Sequence, residues 1–306
     1  MPVIEARGVR KTYRRRGKPP KAALDGLDLV VEEGGVHGFL GPNGSGKTTM
    51  LRCLLGLARL DDGTMQMLGV QVPDELPAVI GSTGVLLESP AFFPPFTGRL
   101  NLQLLATAAE IPSSQVSAVL DVVQLSDAAD ERVKGYSLGM RQRLGIAAAL
   151  LKQPSVLILD EPSNGLDPAG MREVRQLLRA LGDSGVTVLL SSHLLGEVQQ
   201  ICDTVTIVNH GRVVVAGPVA DVLQSRSSGA IAVGVSDSQG ALGVLTEAGF
   251  TAHLTDDRII VDGVADGAVI VEMLAAHQIY PSWLMPVQVD LEQAFLELTE
   301  DEGGAL

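Results

Sequence analysis

Basic residues are in short supply. The chain has 23 Lys and Arg against 36 Asp and Glu, a formal net charge of −13 over 306 residues. A protein that grips a nucleic-acid backbone needs basic surface to displace counterions, so DNA and RNA are not expected partners. Cysteine is scarcer still. Cys53 and Cys202 are far apart and outside any paired-ligand spacing, which excludes a disulfide framework and a thiolate zinc site and fits a reducing compartment. No apolar run approaches the roughly 18 residues of a membrane span. The longest, such as Leu144–Leu151 and Val186–Leu190, have the length of core elements. The basic N-terminus has no apolar stretch behind it, because Asp25 and Asp28 interrupt Ala22–Val31, so a signal peptide is not expected and the chain reads as cytoplasmic.

Apolar material is abundant: 46% hydrophobic residues and a mean hydropathy of +0.25 exclude disorder and supply a large core. The length suggests two domains. Eight of the basic residues fall within the first 21 positions, where strands Val3–Tyr13 and Leu24–Val31 flank a Gly/Pro turn, and this run reads as a solvated hairpin tip. Strand Val36–Leu40 leads into a Gly-rich turn and a helix over Thr48–Leu57, and Gly63–Val72 reads as a hairpin. Helices are expected over Leu100–Ala109, Ser114–Val123 and Ser137–Lys152. Strand and helix then alternate through Val156–Leu159, Met171–Leu181, Val186–Ser191 and Leu194–Ile201, and a hairpin follows at Asn209-His210-Gly211. This order predicts an α/β domain over residues 1–224, with a largely parallel sheet and a helical insert at about 90–154. After the polar linker Ser225–Gly229, residues 229–306 predict a small α+β domain: strand Ile231–Val235, helix Gln239–Ala248, a hairpin Ala252–Leu254/Ile259–Val261 turning at Asp256-Asp257, helix Asp266–His277 and a strand-like Ile279–Trp283. It is closed by a helix that Asp290 caps and that presents Leu291, Ala294, Phe295 and Leu298 on one stripe.

Gly41-Pro42-Asn43-Gly44-Ser45-Gly46-Lys47-Thr48 has the spacing of a phosphate loop, with a strand before it and a helix after it. Glycines let successive backbone N–H groups curl around a phosphate, and the helix adds its N-terminal dipole. Lys47 supplies a mobile charge for the β- and γ-phosphates, and Thr48 offers a hydroxyl to Mg²⁺. Val156–Leu159 is wholly apolar and ends in Asp160 and Glu161. Asp160 suits Mg²⁺ held through water, and Glu161 suits polarising an attacking water, unless both acids simply cap the next loop. These two motifs predict a P-loop NTPase that uses a nucleoside triphosphate and Mg²⁺.

Three further motifs narrow that reading. Tyr136-Ser137-Leu138-Gly139-Met140 resembles the signature loop of ABC-transporter ATPases, Ser163-Asn164-Gly165-Leu166-Asp167-Pro168 their D-loop, and Ser191-Ser192-His193 their switch histidine. The resemblance covers about residues 3–220. It implies an ABC ATPase core, a mixed sheet with helical insert, and ATP as substrate. It implies adenine stacked on Tyr13, phosphates held by the 41–48 loop with Thr49, and His193 orienting the γ-phosphate and water. Ser137, Leu138, Gly139 and Met140 would reach the ATP of a facing subunit, with Gly165, Leu166 and Asp167 at the dimer contact. Half-buried structure is the alternative for Tyr13, and ordinary hydrogen-bonded structure for His193. The loop that normally carries Gln reads Val85–Pro90, so Glu88 stands where the family senses metal and water.

Leu138, Met140 and Glu88 are similar to a subgroup of bacterial ATPases serving bacitracin, lantibiotic and anthracycline-type exporters. That implies a homodimer or a heterodimer with a paralogue, bound to a separate polytopic membrane subunit at the cytoplasmic membrane. Phe92, Phe93 and Phe96, half of the six phenylalanines, are expected either to dock that subunit or to pack between sheet and insert. A soluble ABC ATPase acting on ribosomes or DNA, and an importer ATPase, are the competing readings. His37, His210, His253 and His277 read as structural or solvent-facing.

Overall fold

The structure, a computed structural model, describes residues 1–14, 17, 19–87, 91–224, 230–255, 258–264 and 266–287. Glu88, the Ser225–Gly229 linker, the Asp256-Asp257 turn and the Asp290–Glu300 segment therefore lie outside the described residues, as do Arg15, Arg16 and Lys18 of the basic run. The chain divides into two compact units, Met1–Val219 and Ala220–Leu306.

The first unit begins with β1 (Pro2–Tyr13) and β2 (Lys21–Glu32), an antiparallel pair whose alternating burial marks one face packed inward. With β4 (Asp62–Met67) and β5 (Val70–Val72) they form a four-stranded sheet in the order β2-β1-β4-β5. The second sheet is built on β3 (Val36–Leu40), β7 (Val156–Asp160) and β8 (Thr187–Ser192), every residue of which is buried. Strands buried on both faces are the continuous apolar runs expected of a parallel sheet. Its order is β10-β9-β3-β8-β7-β6, adding β6 (Thr83–Leu86), β9 (Thr204–Asn209) and, antiparallel at one edge, β10 (Arg212–Pro218). Helix α1 (Lys47–Leu54) joins the two sheets: Met50, Leu51 and Leu54 share one apolar cluster with Ile4, Leu27 and Met65 on one side and Phe39, Ile158 and Leu189 on the other.

The helical insert consists of α2 (Gly98–Ala108), α3 (Ser114–Val122) and α4 (Leu138–Leu150). Thr97 caps α2 through the Leu100 amide, and Asn101 ties the start of α2 to the Phe93 backbone. Helix α5 (Pro168–Asp183) follows β7, and the short α6 (Leu195–Val198) follows β8. Helix α7 (Val219–Gln224) follows β10 in the chain. In the second unit β11 (Ile231–Gly234), α8 (Ser238–Glu247), β12 (Thr251–Thr255), β13 (Arg258–Asp262), α9 (Gly267–Ala276) and β14 (Trp283–Pro286) make a β-α-β-β-α-β repeat, with an antiparallel sheet ordered β12-β13-β11-β14. Val233, Leu245, Ile259, Val261, Ile270 and Leu274 are its core.

Three elements depart from the sequence reading. Thr83–Leu86 has no apolar alternation and the sequence assigns it no element, its last two residues falling in the expected Val85–Pro90 loop, yet it pairs in parallel with β7, whose free edge supplies the ladder. In the second unit the last strand is not Ile279–Trp283 but Trp283–Pro286, because Pro281 has no N–H to offer a partner. Helix α6 is also shorter than the expected Leu194–Ile201.

His37 is the structural histidine expected. It is buried, its Nδ1 lies 2.7 Å from Thr204 Oγ1 and its Nε2 3.0 Å from Thr206 Oγ1, and burial pushes its pKa down to about 4. A neutral imidazole satisfies both contacts, one nitrogen donating and the other accepting. Because the folded pKa lies below the unfolded value, the unfolded chain binds the extra proton first. Stability contributed by neutral His37 is therefore intact above pH 6.5 and falls as pH drops toward 4. In urea unfolding, wild type should lose about 2 kcal/mol relative to His37→Gln between pH 7 and pH 5; parallel pH dependences of the two proteins would contradict this.

Candidate active site

Strand order brings the site together. Strand β8 lies between β3 and β7 and is parallel to both, with Leu40 opposite Ser192 and Asp160 opposite Ser191. The phosphate loop after β3, the acids after β7 and the histidine after β8 therefore emerge side by side at the C-terminal edge of one sheet, where α/β proteins bind ligands. The Gly41 amide donates to the Ser192 carbonyl (3.3 Å), which pins the loop to its neighbour.

Two glycines of the loop are sterically obligatory. A Cβ at Gly41 would stand 2.2 Å from the Val208 carbonyl oxygen, and one at Gly46, where φ is +115°, 2.4 Å from that of Ala23. The loop is thus wedged against β9 and β2 with no room for a side chain. Ser45 is buried and its Oγ has no hydrogen-bond partner among the described residues. An orphaned hydroxyl in a cradle of backbone amides, at the open end of α1, fits a phosphate oxygen. Lys47 is also buried; its Nζ donates to the carbonyls of Gly41 (2.6 Å) and Pro42 (3.3 Å).

Glu161 takes a left-handed backbone (φ +50°), which is costly for a residue with a side chain. Its amide, 3.1 Å from both the Ser191 carbonyl and Ser191 Oγ, holds it there. The same Ser191 hydroxyl donates to Asp160 Oδ1, so one buried serine organises both acids. The Glu161 carboxylate is then shared: Oε1 lies 3.3 Å from Lys47 Nζ and Oε2 2.7 Å from His193 Nδ1. Sequence reasoning treated Ser191 only as part of the histidine motif. Its signal was a hydroxyl ending an otherwise apolar strand.

A cavity of about 740 Å³ opens beside this constellation. Asn43, Gly44, Gly46, Lys47, Thr48, Thr49 and Glu161 line one side, and Tyr13, Pro19, Pro20, Lys21 and Ala23 the other. The size suits a nucleotide. Tyr13 is 38% exposed, with Lys11 Nζ 5.6 Å from its ring centre, and it borders the cavity. The hairpin residues beyond Tyr13 were expected only to be a solvated tip; Pro19, Pro20 and Lys21 instead form part of the wall.

Ser137, Leu138, Gly139 and Met140 do not line this cavity. Ser137 caps α4, accepting from the Met140 amide at 3.1 Å, so its hydroxyl proton remains available to an acceptor. The signature start packs beside the D-loop of its own chain: a Cβ at Gly165 would stand 3.3 Å from Leu138 Cδ2, and one at Gly139 4.0 Å from Leu166 Cδ2. Asp167 caps α5 through the Gly170 amide (3.2 Å). Of the metal-ligand candidates, Thr48 lines the cavity, Asp160 is buried beside its neighbour Glu161 without lining it, and position 88 lies outside the described residues.

Comparison with known proteins agrees with this architecture. Residues 24–164 match the ABC transporter family. Over 294 residues the chain is 38% identical to the daunorubicin resistance ATP-binding protein DrrA3 of Streptomyces coeruleorubidus, covering 92% of each chain. It is 38% identical over 244 residues to the bacitracin transport ATP-binding protein BcrA of Bacillus licheniformis, covering 79% of this chain and 78% of that one. The dimeric structure of MJ0796, a bacterial ABC transporter cassette, superposes with a TM-score of 0.62 at 25% identity, covering 71% of this chain and 98% of that one. The chain belongs to the ABC transporter family, as one of its ATP-binding, ATP-hydrolysing subunits.

Proposed function

We propose that this chain powers an exporter, hydrolysing ATP as a nucleotide-sandwich dimer on a separate membrane subunit and moving an antibiotic or other amphipathic compound. The observation that carries the catalytic part is the Glu161 carboxylate suspended between Lys47 and His193 at the mouth of the phosphate loop. In this reading adenine stacks on Tyr13, and the phosphates lie along the 41–49 segment. Lys47 exchanges its loop carbonyls for the β- and γ-phosphates, a stronger charge-assisted partnership. Glu161 accepts a hydrogen bond from the attacking water. His193, tied to Glu161 through Nδ1, keeps that carboxylate aimed and orients the γ-phosphate through its other nitrogen.

The donors present fit Mg²⁺. Thr48 and Asp160 offer hard oxygens, and among the described residues no cluster of three or more His, Cys, Asp or Glu forms a complete protein cage. An ion held by two side chains, waters and substrate phosphates is the arrangement Mg²⁺ favours, and bound there it would neutralise charge developing on the phosphates. Glu88 is a further candidate ligand that lies outside the described residues.

Dimerisation is supported by two features. The signature residues stand off their own cavity with a donor-ready Ser137 at a helix N-terminus, and the MJ0796 cassette was solved as a dimer. Among the described residues no helix is long and apolar enough to cross a membrane, and in this reading a separate membrane subunit carries the transport path. A surface for it is the start of the insert. Phe93 is 60% exposed, and with the ring of Phe96 5.5 Å away and Leu100, Leu104 and Leu105 also exposed it forms an apolar patch. Bacitracin transport and daunorubicin resistance, named for the relatives, favour export of amphipathic cargo.

Glu161→Gln should bind ATP as wild type does, lose phosphate release by at least about 10²-fold and elute as an ATP-dependent dimer on size exclusion. Hydrolysis at the wild-type rate would refute the role of Glu161. With the membrane subunit co-expressed, the pair Phe93→Asp and Phe96→Asp should cut recovery of the detergent-solubilised complex by about tenfold, while ATPase activity of the isolated chain is kept. Undiminished recovery would remove the patch from the interface.

A further inference from the structure

The hairpin contributes a charge to the nucleotide cavity that none of the motifs contains. Lys21 is the first residue of β2 and stands directly across the ladder from Tyr13. Its stem runs toward the phosphate loop: a Cβ at Gly44 would lie 3.7 Å from Lys21 Nζ. Among the described residues three formally charged side chains line the cavity, Lys21, Lys47 and Glu161. Glu161 is engaged by Lys47 and His193, whereas Lys21 has no ion-pair partner among the described residues. An unpaired ammonium aimed into a cavity, in a chain where acids outnumber bases 36 to 23, is a charge kept for something that enters the cavity.

We infer that Lys21 is a positioning residue for the diphosphate segment common to ATP and ADP. The inference rests on the nucleotide-site reading above. The order of groups along the cavity argues for that segment. Tyr13 marks the base end, and Lys47 with Glu161 marks the reacting end. Lys21 reaches the loop at Gly44, three residues before Lys47, from the base side. A cation there meets phosphate oxygens that change little during hydrolysis. It therefore stabilises ground state and transition state alike, raising affinity without accelerating the chemical step. Its exposure to solvent makes the contribution sensitive to salt.

The test uses the intact chain with MgADP in calorimetric titrations and MgATP in steady-state hydrolysis. Lys21→Ala should weaken ADP binding and raise KM for ATP by the same factor, about 5- to 20-fold, with kcat at saturation within about twofold of wild type. The deficit should shrink at high ionic strength, and Lys21→Arg should recover most of the affinity, which a merely structural role of the lysine stem would not produce. Unchanged affinity in Lys21→Ala would overturn the inference. So would a loss confined to ATP, which would move the contact to the γ-phosphate, or a Lys21→Arg variant as weak as the alanine. Wild-type chain that binds neither nucleotide would instead bring down the nucleotide-site reading itself, so the two failures are distinguishable.

Discussion

Everything at the active site depends on β8 lying between β3 and β7. Three loops far apart in the chain become neighbours only because one buried parallel strand separates, and hydrogen-bonds, the strands carrying the other two. Ser191 and Ser192 are the last residues of that strand, and each works sideways. The Ser192 carbonyl receives the phosphate-loop amide of Gly41, and Ser191 reaches Asp160 with its hydroxyl while its carbonyl and hydroxyl both receive the amide of Glu161. A register slip of one residue in β8 would turn these groups to the opposite face and disconnect both motifs.

The electrostatics of the site follow from scarcity. In a chain with a large acidic excess, the cations at the cavity are few and are held in place by structure: Lys47 is buried against loop carbonyls, and Lys21 is fixed at the start of a strand. Glu161 in turn is held in a strained left-handed backbone by the Ser191 bonds, so its carboxylate is presented before substrate arrives. In the proposed reaction such preorganisation would avoid reorganising the carboxylate during the chemical step. The signature and D-loop residues form a separate patch, with Leu138 lying against Gly165.

Much of this was legible in the residues. The phosphate loop, the acid pair after an apolar strand and the order of the strands and helices around them could be read, because dihedral freedom, buried runs and helix caps are local demands. The Thr83–Leu86 strand could not, since a short Gly-containing edge strand exists only where a neighbour offers a ladder. The same holds for Trp283–Pro286, whose start is set by Pro281 and by the pairing available along β11. Ser191 as the clasp of two acids, and Pro19, Pro20 and Lys21 as cavity wall, were also invisible, because their partners lie across the sheet or across a hairpin.

By itself, then, the sequence determined which chemistry the chain can perform: it carries the glycines, lysine, acids and histidine of a nucleoside-triphosphate hydrolase, at spacings dictated by backbone geometry. Tertiary structure alone decided which of these groups touch. Strand order and register are set by burial summed over the whole sheet, a collective quantity that no local window contains. The contacts of Glu161 with Lys47 and with His193 are consequences of that order.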